Sequence, residues 1–392
     1  MGKLRMYLPP FAPDYSGVCS ALFELGGLVV IHDGGGCTGN YTGYDEPRWY
    51  GSKSAVFCSG LREMDAVLGL DDRLIDKIKR ACQDVPAKFI AVMGSPAPML
   101  IGSDMRGIAS ELEDQLGIPC FGLDTSGMHL YNKGIGMAEM SIVKRFVRKP
   151  ACKKEKGVNI LGMTPLDFSL NSNSDDLKNL LTSLGYDLVA CFGMGTSLES
   201  ISHAAEAQVN VVVSAGGMAL AKYMEQKYQI PYVAGIAMGT SGGDCLKEAL
   251  AQTMKDKQSR VLGKNEDETE LQADAGKKIL FIGEQLQGNS FRAAYERKHG
   301  RANIQVGCIF GKDKELAAPA DLELPDEGMV MDLLSVEDYD MIIADPLFEE
   351  LIPVEKQEKT EFVKFPHISV SSKLYWDYGT VFYGDEAEAL LG

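Results

Sequence analysis

The chain has 392 residues, of which 45% are hydrophobic and 24% are charged, as in ordinary globular proteins. This length exceeds the size at which one hydrophobic core stops growing, so we expect two or three domains. The formal net charge of −16 argues against nucleic acid or an anionic membrane surface as the main partner. A basic patch on another protein suits this acidic chain better.

The N-terminus and the apolar runs predict neither export nor membrane insertion. The first residues, MGKLRMYLPP, lack the apolar core of a signal peptide, and Met6 does not fit the N-myristoylation pattern. No apolar run approaches the roughly 20 residues of a membrane span. We therefore predict a cytoplasmic protein whose nine cysteines are reduced thiols rather than a disulfide framework.

Residues 1–150 alternate strand-like and helix-like patterns. The apolar runs predict strands at Leu28–Ile31, Phe89–Met93 and Cys120–Leu123. The amphipathic patterns predict helices at Leu74–Cys82 and Ile108–Leu116. Such alternation indicates a parallel sheet in a doubly wound unit. The polar, lysine-rich segment 149–157 then predicts a linker.

The same rhythm recurs in residues 158–263 and 276–392. The first of these segments contains the strand-like runs VNILGM, DLVACFG, NVVVSAGG and PYVAGIAMG. Helical patterns follow these runs at Ser174–Leu184, Ser197–Ala207, Met218–Tyr228 and Asp244–Lys255. After the charged connection Lys264–Asp274, the last segment contains KKILFIG, NIQVGCIFG, DYDMIIADP and FPHISVS. We therefore predict an α/β fold with three Rossmann-like doubly wound domains around a central cleft, where ligands lie at the carboxyl ends of strands.

Three cysteines in the first segment are candidate metal ligands. Cys19 lies in a helix-like stretch, Cys37 follows the first predicted strand in a loop, and Cys58 ends a second short apolar run. Thiolates suit soft metals or an iron–sulfur cluster, but three are one short of the usual four. A non-cysteine ligand or a second subunit would complete the set. The alternative is that all three are packed or reactive thiols.

The glycine-rich loop around Cys37 formally satisfies a nucleotide-binding pattern. Gly34 to Gly39 read GGGCTG after a strand, but a dinucleotide site requires this loop to open directly into a helix. The following residues 40–47 contain glycine and proline, which oppose a helix. We interpret the glycines, Gly36 among them, as allowing the backbone to pass close to a bulky group with its N–H groups turned inward.

At this point the sequence resembles the nitrogenase component 1 family. Cys19 in SGVCSALFEL and Cys37 in IHDGGGCTGNY are similar to the first two cluster cysteines of its subunits. The other similar segments are Leu61–Gly69 (LREMDAVLG), Leu100–Asp104 (LIGSD), Ile118-Pro119, Gln208–Tyr232 and Tyr375–Tyr378 (YWDY). Together these segments cover nearly the whole chain.

The departures from the family pattern concern its metal ligands. The third cluster cysteine is replaced at Gly94-Ser95-Pro96, so the resemblance leaves Cys58 as the obvious substitute and Ser95 as a weaker one. The cysteine and histidine that hold the iron–molybdenum cofactor correspond to Ser214 and Leu374 here. Reduction of dinitrogen at the usual site is therefore not expected.

What remains resembles nitrogenase-like reductases that act on protochlorophyllide, chlorophyllide or nickel-sirohydrochlorin diamide. The resemblance implies a dimer, either a homodimer or a pair with a homologous second subunit, that shares a [4Fe–4S] or larger P-cluster-like iron–sulfur cluster. Electrons would come from an ATP-dependent iron protein and reduce a small organic substrate, with tetrapyrroles the leading class. Two alternatives stay open: a scaffold for metallocluster assembly and a metal-free α/β binding protein.

Two further residues are candidate proton-transfer groups. Glu284 follows the strand-like run KKILFIG and is the acid most suited to the predicted cleft. His32 adjoins the cluster loop, where it would hydrogen-bond a cluster sulfur or relay a proton, unless it is simply structural. The glycine-rich turn 239–243 precedes a predicted helix and is either a carboxylate or phosphate site or an ordinary turn.

Overall fold

The computed structural model describes residues 6–50, 52, 54–69, 71–150, 152–169, 171–264 and 276–392, without the side chains of residues 171 and 376–378. Most of the predicted connection Lys264–Asp274, and the last three side chains of the YWDY segment, lie outside the described residues. The strands form three parallel sheets, each drawn from one segment of the chain. This arrangement confirms the predicted α/β fold, whereas the proposed domain boundaries stay a prediction.

The first sheet has the strand order β2-β1-β3-β4. Its strands are β1 (Leu28–His32), β2 (Ala55–Cys58), β3 (Ile90–Gly94) and β4 (Cys120–Leu123). Its helices are α1 (Asp14–Leu22), α2 (Gly36–Asn40), α3 (Glu63–Leu68), α4 (Asp71–Asp84), α5 (Pro96–Leu100), α6 (Met105–Leu116) and α7 (Tyr131–Phe146). Both central strands are buried along their whole length, which is why they read as continuous apolar runs.

The second sheet has the order β6-β5-β7-β8-β9. Its strands are β5 (Gly157–Met163), β6 (Asp187–Gly193), β7 (Val209–Val212), β8 (Tyr232–Ala234) and β9 (Arg260–Val261). Its helices are α8 (Pro165–Phe168), α9 (Asn171–Ser183), α10 (Leu198–Ser202), α11 (Met218–Tyr228) and α12 (Gly239–Asp256). The predicted helix 197–207 is divided in two, because His203 ends α10 and a 3₁₀ turn follows at Ala204–Glu206.

The third sheet has the order β12-β11-β10-β13-β14. Its strands are β10 (Lys278–Gly283), β11 (Asn303–Cys308), β12 (Leu322–Glu323), β13 (Met341–Ala344) and β14 (Glu361–Lys364). Its helices are α13 (Gln285–His299), α14 (Glu327–Val336), α15 (Val354–Gln357), α16 (Ile368–Ser371) and α17 (Gly384–Glu388). The predicted strand FPHISVS is wrong, since the strand precedes it as β14 and the segment itself contains α16.

In every sheet two neighbouring central strands are followed by connections that run to opposite sides of the sheet, so the strand order reverses between them. The reversals fall between β1 and β3, between β5 and β7, and between β10 and β13. In open α/β sheets such reversal points, at the carboxyl ends of the strands, are where ligands bind. The candidate site residues are therefore expected at these ends.

Helices α1 and α7 connect the first sheet to the rest of the molecule through close backbone contact. A Cβ atom added at Gly17 of α1 would lie 1.9 Å from the Tyr131 carbonyl oxygen, and one at Gly134 of α7 would lie 1.8 Å from that of Asp14. Only glycine permits this approach. Among the described residues, no helix is both long and apolar enough to cross a membrane.

Candidate functional site

Cys58 lies at the carboxyl end of β2, on the sheet face that is covered by α1. In the parallel register Cys58 pairs with Ile31 of β1, which in turn pairs with Met93 of β3. Registered neighbours point to the same face of a sheet, and two strand spacings of about 10 Å in all separate Cys58 from Met93. The Cys58 thiol is exposed and donates to the Asp33 carbonyl at 3.3 Å.

Cys19 and Cys37 are on this same side of the sheet. The Cys19 sulfur on α1 is fully buried and lies 3.7 Å from the sulfur of Met93. Cys37 is half-buried on α2, packs against the same core and lies near the Tyr15 hydroxyl. The three thiols therefore surround the carboxyl end of the first sheet, although no three His, Cys, Asp or Glu side chains among the described residues are arranged to hold a metal ion.

Asp33 organises the glycine loop that carries Cys37. Its Oδ2 accepts the backbone N–H groups of Gly35 and Thr38 at 2.8 and 3.1 Å, and its Oδ1 accepts from the buried Ser95 hydroxyl at 3.2 Å. These hydrogen bonds hold the turn that leads into α2, so Cys37 is helical and the prediction of a non-helical loop is wrong. Because Asp33 satisfies these N–H groups, they are not free to hold a phosphate. Gly36 is exposed, with no atom within 4 Å of an added Cβ.

The surroundings of the thiols oppose ionisation. Burial and the nearby Glu46 and Asp45 carboxylates raise the pKa of Cys19. Burial also raises the pKa of Cys37, although the nearby Tyr15 hydroxyl acts in the opposite direction. Metal binding requires thiolates, so any binding here releases protons and becomes stronger as pH rises.

His32 points away from the thiols. Along β1, Leu28 and Val30 pack in the core beneath α4 and α6, while Val29 and Ile31 pack with Cys19. By alternation, His32 belongs to the α4 side. Its Nδ1 is 2.8 Å from the Ser59 hydroxyl, and burial lowers its pKa. It lines a cavity of about 100 Å³ that also contains Asp65, Asp71 and Lys77.

Large apolar side chains are exposed around the thiol edge. They occur on β2, on α3 and at the end of α5. Val67 of α3 is 74% exposed, and Leu100 of α5 is 79% exposed. The members of this exposed apolar surface are Phe57, Met64, Val67, Leu68, Met99, Leu100 and Ile101. A partner that covers exposed apolar side chains removes them from water, which is favourable.

Glu284 lies at a second centre, where the carboxyl ends of the second and third sheets meet. It directly follows β10 and caps α13, accepting the Gln287 N–H at 2.8 Å. Its other carboxylate oxygen accepts the Ala215 N–H, just beyond β7, at 2.8 Å. Burial and the Asp167 charge raise its pKa to about 8, so Glu284 carries a proton at neutral pH. We call this centre the junction.

Three further residues complete the junction. Asp167 of α8 accepts a hydrogen bond from the Tyr131 hydroxyl, and its Oδ1 is 3.3 Å from His367 Nε2. Tyr131 begins α7, and His367 directly precedes α16. All three are buried. Sequence analysis missed this group because its members lie far apart along the chain, and the only local signal was an acid soon after the strand β5.

The remaining candidate positions do not join either centre. The buried Ser214 hydroxyl donates to the Gly162 carbonyl at 2.8 Å, while Leu374 is exposed. The glycine-rich turn 239–243 is the first turn of α12, and its N–H groups face a carboxylate of the chain itself. Glu388 accepts the Ser241 N–H at 3.2 Å and the Ser241 hydroxyl at 2.9 Å.

Comparison with known proteins now identifies the class of protein that this fold and these centres define. The model of the family described as nitrogenase component 1 type oxidoreductase matches residues 13–294. The chain therefore belongs to this family. The resemblance found in the sequence is confirmed.

Several relatives have related but different names. The nitrogenase iron-molybdenum cofactor biosynthesis protein NifE of Clostridium pasteurianum is 28% identical to this chain over 270 residues. The matched region covers 65% of this chain and 58% of that protein. The nitrogenase molybdenum-iron protein alpha chain of Acidithiobacillus ferridurans is 23% identical over 97% of this chain and 81% of its own. One subunit of the light-independent protochlorophyllide reductase of Prosthecochloris aestuarii is 32% identical, over 26% of this chain and 19% of its own.

A solved structure shows the same fold. Nitrogenase Cp1 at pH 6.5 has a TM-score of 0.72 and 16% identity, over 100% of this chain and 92% of that one. At this identity the likeness shows the architecture alone. The matched region spans little more than half of the NifE chain, at 58%, so the activity and partners of such relatives reach this chain only as proposals.

Proposed function

We propose that this chain is the substrate-reducing component of a nitrogenase-like reductase. It receives electrons from an ATP-dependent iron protein through an iron–sulfur cluster between two subunits, and it reduces an organic molecule rather than dinitrogen. By analogy the substrate is tetrapyrrole-like. The observation that carries the proposal is the close packing of α1 and α7, which links the thiol edge to the junction.

The link is short. Cys19 and Gly17 lie two residues apart on α1, a rise of about 3 Å, and Gly17 contacts the backbone of Tyr131. The Tyr131 side chain then reaches Asp167 at the junction. Electrons gained at the thiols would thus reach the junction across one pair of packed helices.

The donor set fits a [4Fe–4S] or larger cluster that is completed by a second subunit. Cys19, Cys37 and Cys58 would hold the cluster, which supplies one-electron transfer when bound, and Ser95 is the alternative to Cys58. The chain offers three thiols on one sheet face where about four are needed. The exposed apolar surface beside them suits burial against a second copy or a homologous subunit.

The chain's own groups divide the remaining work. Asp33 fixes the Cys37 turn, Glu284 holds a proton at the junction, and His32 borders a polar cavity on the far face of the first sheet. In the proposal Glu284 supplies its proton to the reduced substrate, and His32 exchanges protons with the polar cavity that it borders.

Iron and acid-labile sulfide in protein purified without oxygen test the proposal. We expect about four irons per dimer for one shared cube and about eight for two cubes or a larger cluster. Cys58→Ala should lose most of this iron, whereas Cys152→Ala, which removes another exposed thiol, should retain it. Absence of iron from the wild type after reconstitution would refute the metal-based function and leave a metal-free binding protein.

A second candidate function is a scaffold on which a metallocluster is assembled. The similarity to a protein named for cofactor biosynthesis favours it, as does the replacement of both cofactor ligands by Ser214 and Leu374. A scaffold would pass its iron to an acceptor protein and would show no substrate turnover with an iron protein. Turnover without transfer would select the reductase.

A further inference from the structure

Several buried polar atoms near the junction have no hydrogen-bond partner among the described residues. They are Asp167 Oδ2, Gln287 Oε1, Thr164 Oγ1 and both ring nitrogens of His367, whose Nε2 lies near Asp167 Oδ1 without the alignment of a hydrogen bond. Buried polar groups are nearly always paired, so this local concentration calls for a functional explanation. His367 is the most notable, because a ring with two unpaired nitrogens is able to take up a proton on one side and release it on the other.

His367 also borders a small cavity of about 10 Å³. This is room for roughly one water molecule. The cavity is lined mainly by small and polar residues, among them Ser169, Ser371, Ser372 and Tyr375. Ser372 and Tyr375 are partly exposed, so the cavity lies between His367 and the surface.

The backbone around this cavity is strained. Ser169 and Ser372 have φ values of 48° and 52°, in the left-handed region that non-glycine residues rarely adopt. Each residue directly follows a short helix, α8 and α16 respectively. Strained backbone is commonly retained where it shapes a functional site. Here it places two hydroxyl-bearing residues beside the His367 ring.

Acidic groups dominate on the inner side of His367. Asp167 faces it from α8, Tyr131 from α7, and Asp345 accepts the His367 backbone N–H at 2.9 Å. Burial, together with the charge of Asp167, raises the pKa of Glu284 at the start of α13. Among the described residues, no lysine or arginine forms an ion pair with Asp167 or Glu284.

We propose that His367 and Asp167 form a proton pathway from the surface at Ser372 and Tyr375 to Glu284. The proposal rests on the proposed function and names the route by which protons reach the reduced substrate. Glu284 transfers its carboxyl proton to a substrate atom that has gained electrons from the iron protein. The Glu284 carboxylate regains a proton from protonated His367 by way of Asp167, and His367 takes one from water.

A first test needs no turnover. Proton exchange at the rings of the five histidines is followed by NMR on protein labelled with ¹⁵N-histidine. The His367 signal is assigned with His367→Gln, and the exposed His129 serves as the reference, assigned with His129→Gln. We expect the ring N–H of His367 to exchange rapidly with solvent. Asp167→Asn should slow this exchange by about tenfold or more, because the ring loses the carboxylate that faces it and accepts its proton.

The opposite results overturn the pathway. These are a ring N–H of His367 that exchanges as slowly as a buried backbone amide, or an exchange rate that Asp167→Asn leaves unchanged. Either would make the group a structural contact. Both NMR results are independent of iron content. A failure of the proposed function is detected by a different result, namely wild-type protein that takes up no electrons.

A second test uses the reduced protein. At saturating electron supply, His367→Gln and Asp167→Asn should each slow turnover by about tenfold or more, because a positioned proton donor contributes in this range. Both variants should also show a larger solvent deuterium isotope effect on turnover. Their iron content should equal that of His129→Gln. Wild-type turnover and isotope effect in both variants would refute the pathway.

Discussion

Replacement of Glu284 by glutamine should remove a large part of the pH dependence of folding stability. The pKa of Glu284 rises from its ordinary value of 4.5 to about 8 in the folded protein because the side chain is buried beside Asp167. A raised carboxyl pKa stabilises the fold fully below the unfolded pKa, and this contribution is lost as pH rises through the folded pKa. The window is therefore about pH 4.5 to 8.

The magnitude follows from these two values. One pKa unit corresponds to about 1.4 kcal/mol, so between pH 5 and pH 8 the wild type should lose on the order of 3 kcal/mol through this group. Glutamine has nearly the same shape and retains an oxygen that can accept the Ala215 N–H. Its NH₂ group cannot accept the Gln287 N–H, which costs about 1 kcal/mol independently of pH.

The assay is urea unfolding followed by far-ultraviolet circular dichroism at pH 5.5 and pH 8, with and without the substitution. Glu358→Gln, an exposed acid, is the matched control and should follow the wild type. Parallel pH profiles for the wild type and Glu284→Gln would refute the reasoning. They would mean that Glu284 is ionised in the folded protein at neutral pH, and so cannot be the buried proton donor.

Three other predictions concern the packing around the two centres. Gly134→Ala should destabilise the protein by about 2 to 3 kcal/mol in urea unfolding, because its Cβ would overlap the Asp14 carbonyl, whereas Gly243→Ala in open space should be neutral or stabilising. Arg48→Met should lower the free energy of unfolding by about 3 to 5 kcal/mol in the same measurement, because it leaves the buried Glu46 carboxylate without its ion-pair partner. The control Arg297→Met removes an exposed ion pair and should cost less than about 1 kcal/mol. Glu327→Gln should weaken the three backbone hydrogen bonds from residues 6–8 and speed their amide exchange, an effect that the exposed control Glu323→Gln should not produce.

Local pattern predicted the elements that carry the sites. The runs 28–31 and 89–93 are found in the strands β1 and β3, because parallel strands buried on both faces read as uninterrupted apolar segments. The glycine-rich starts of α2 and α12 were missed. In both cases a carboxylate faces the first turn, Asp33 from nearby and Glu388 from almost 150 residues away.

The sequence by itself determined the family, the alternation of strands and helices, and the candidate residues Cys19, Cys37, Cys58 and Glu284. These features depend on residue type and short-range spacing, which a linear chain displays directly. Placement of the three thiols on one sheet face required the β2-β1-β3 register. Assembly of the junction required the packing of all three sheets, because Tyr131, Asp167, Glu284 and His367 approach one another only where the carboxyl ends of strands from separate segments meet. No local periodicity encodes that meeting, since it is decided by which buried surfaces the sheets share.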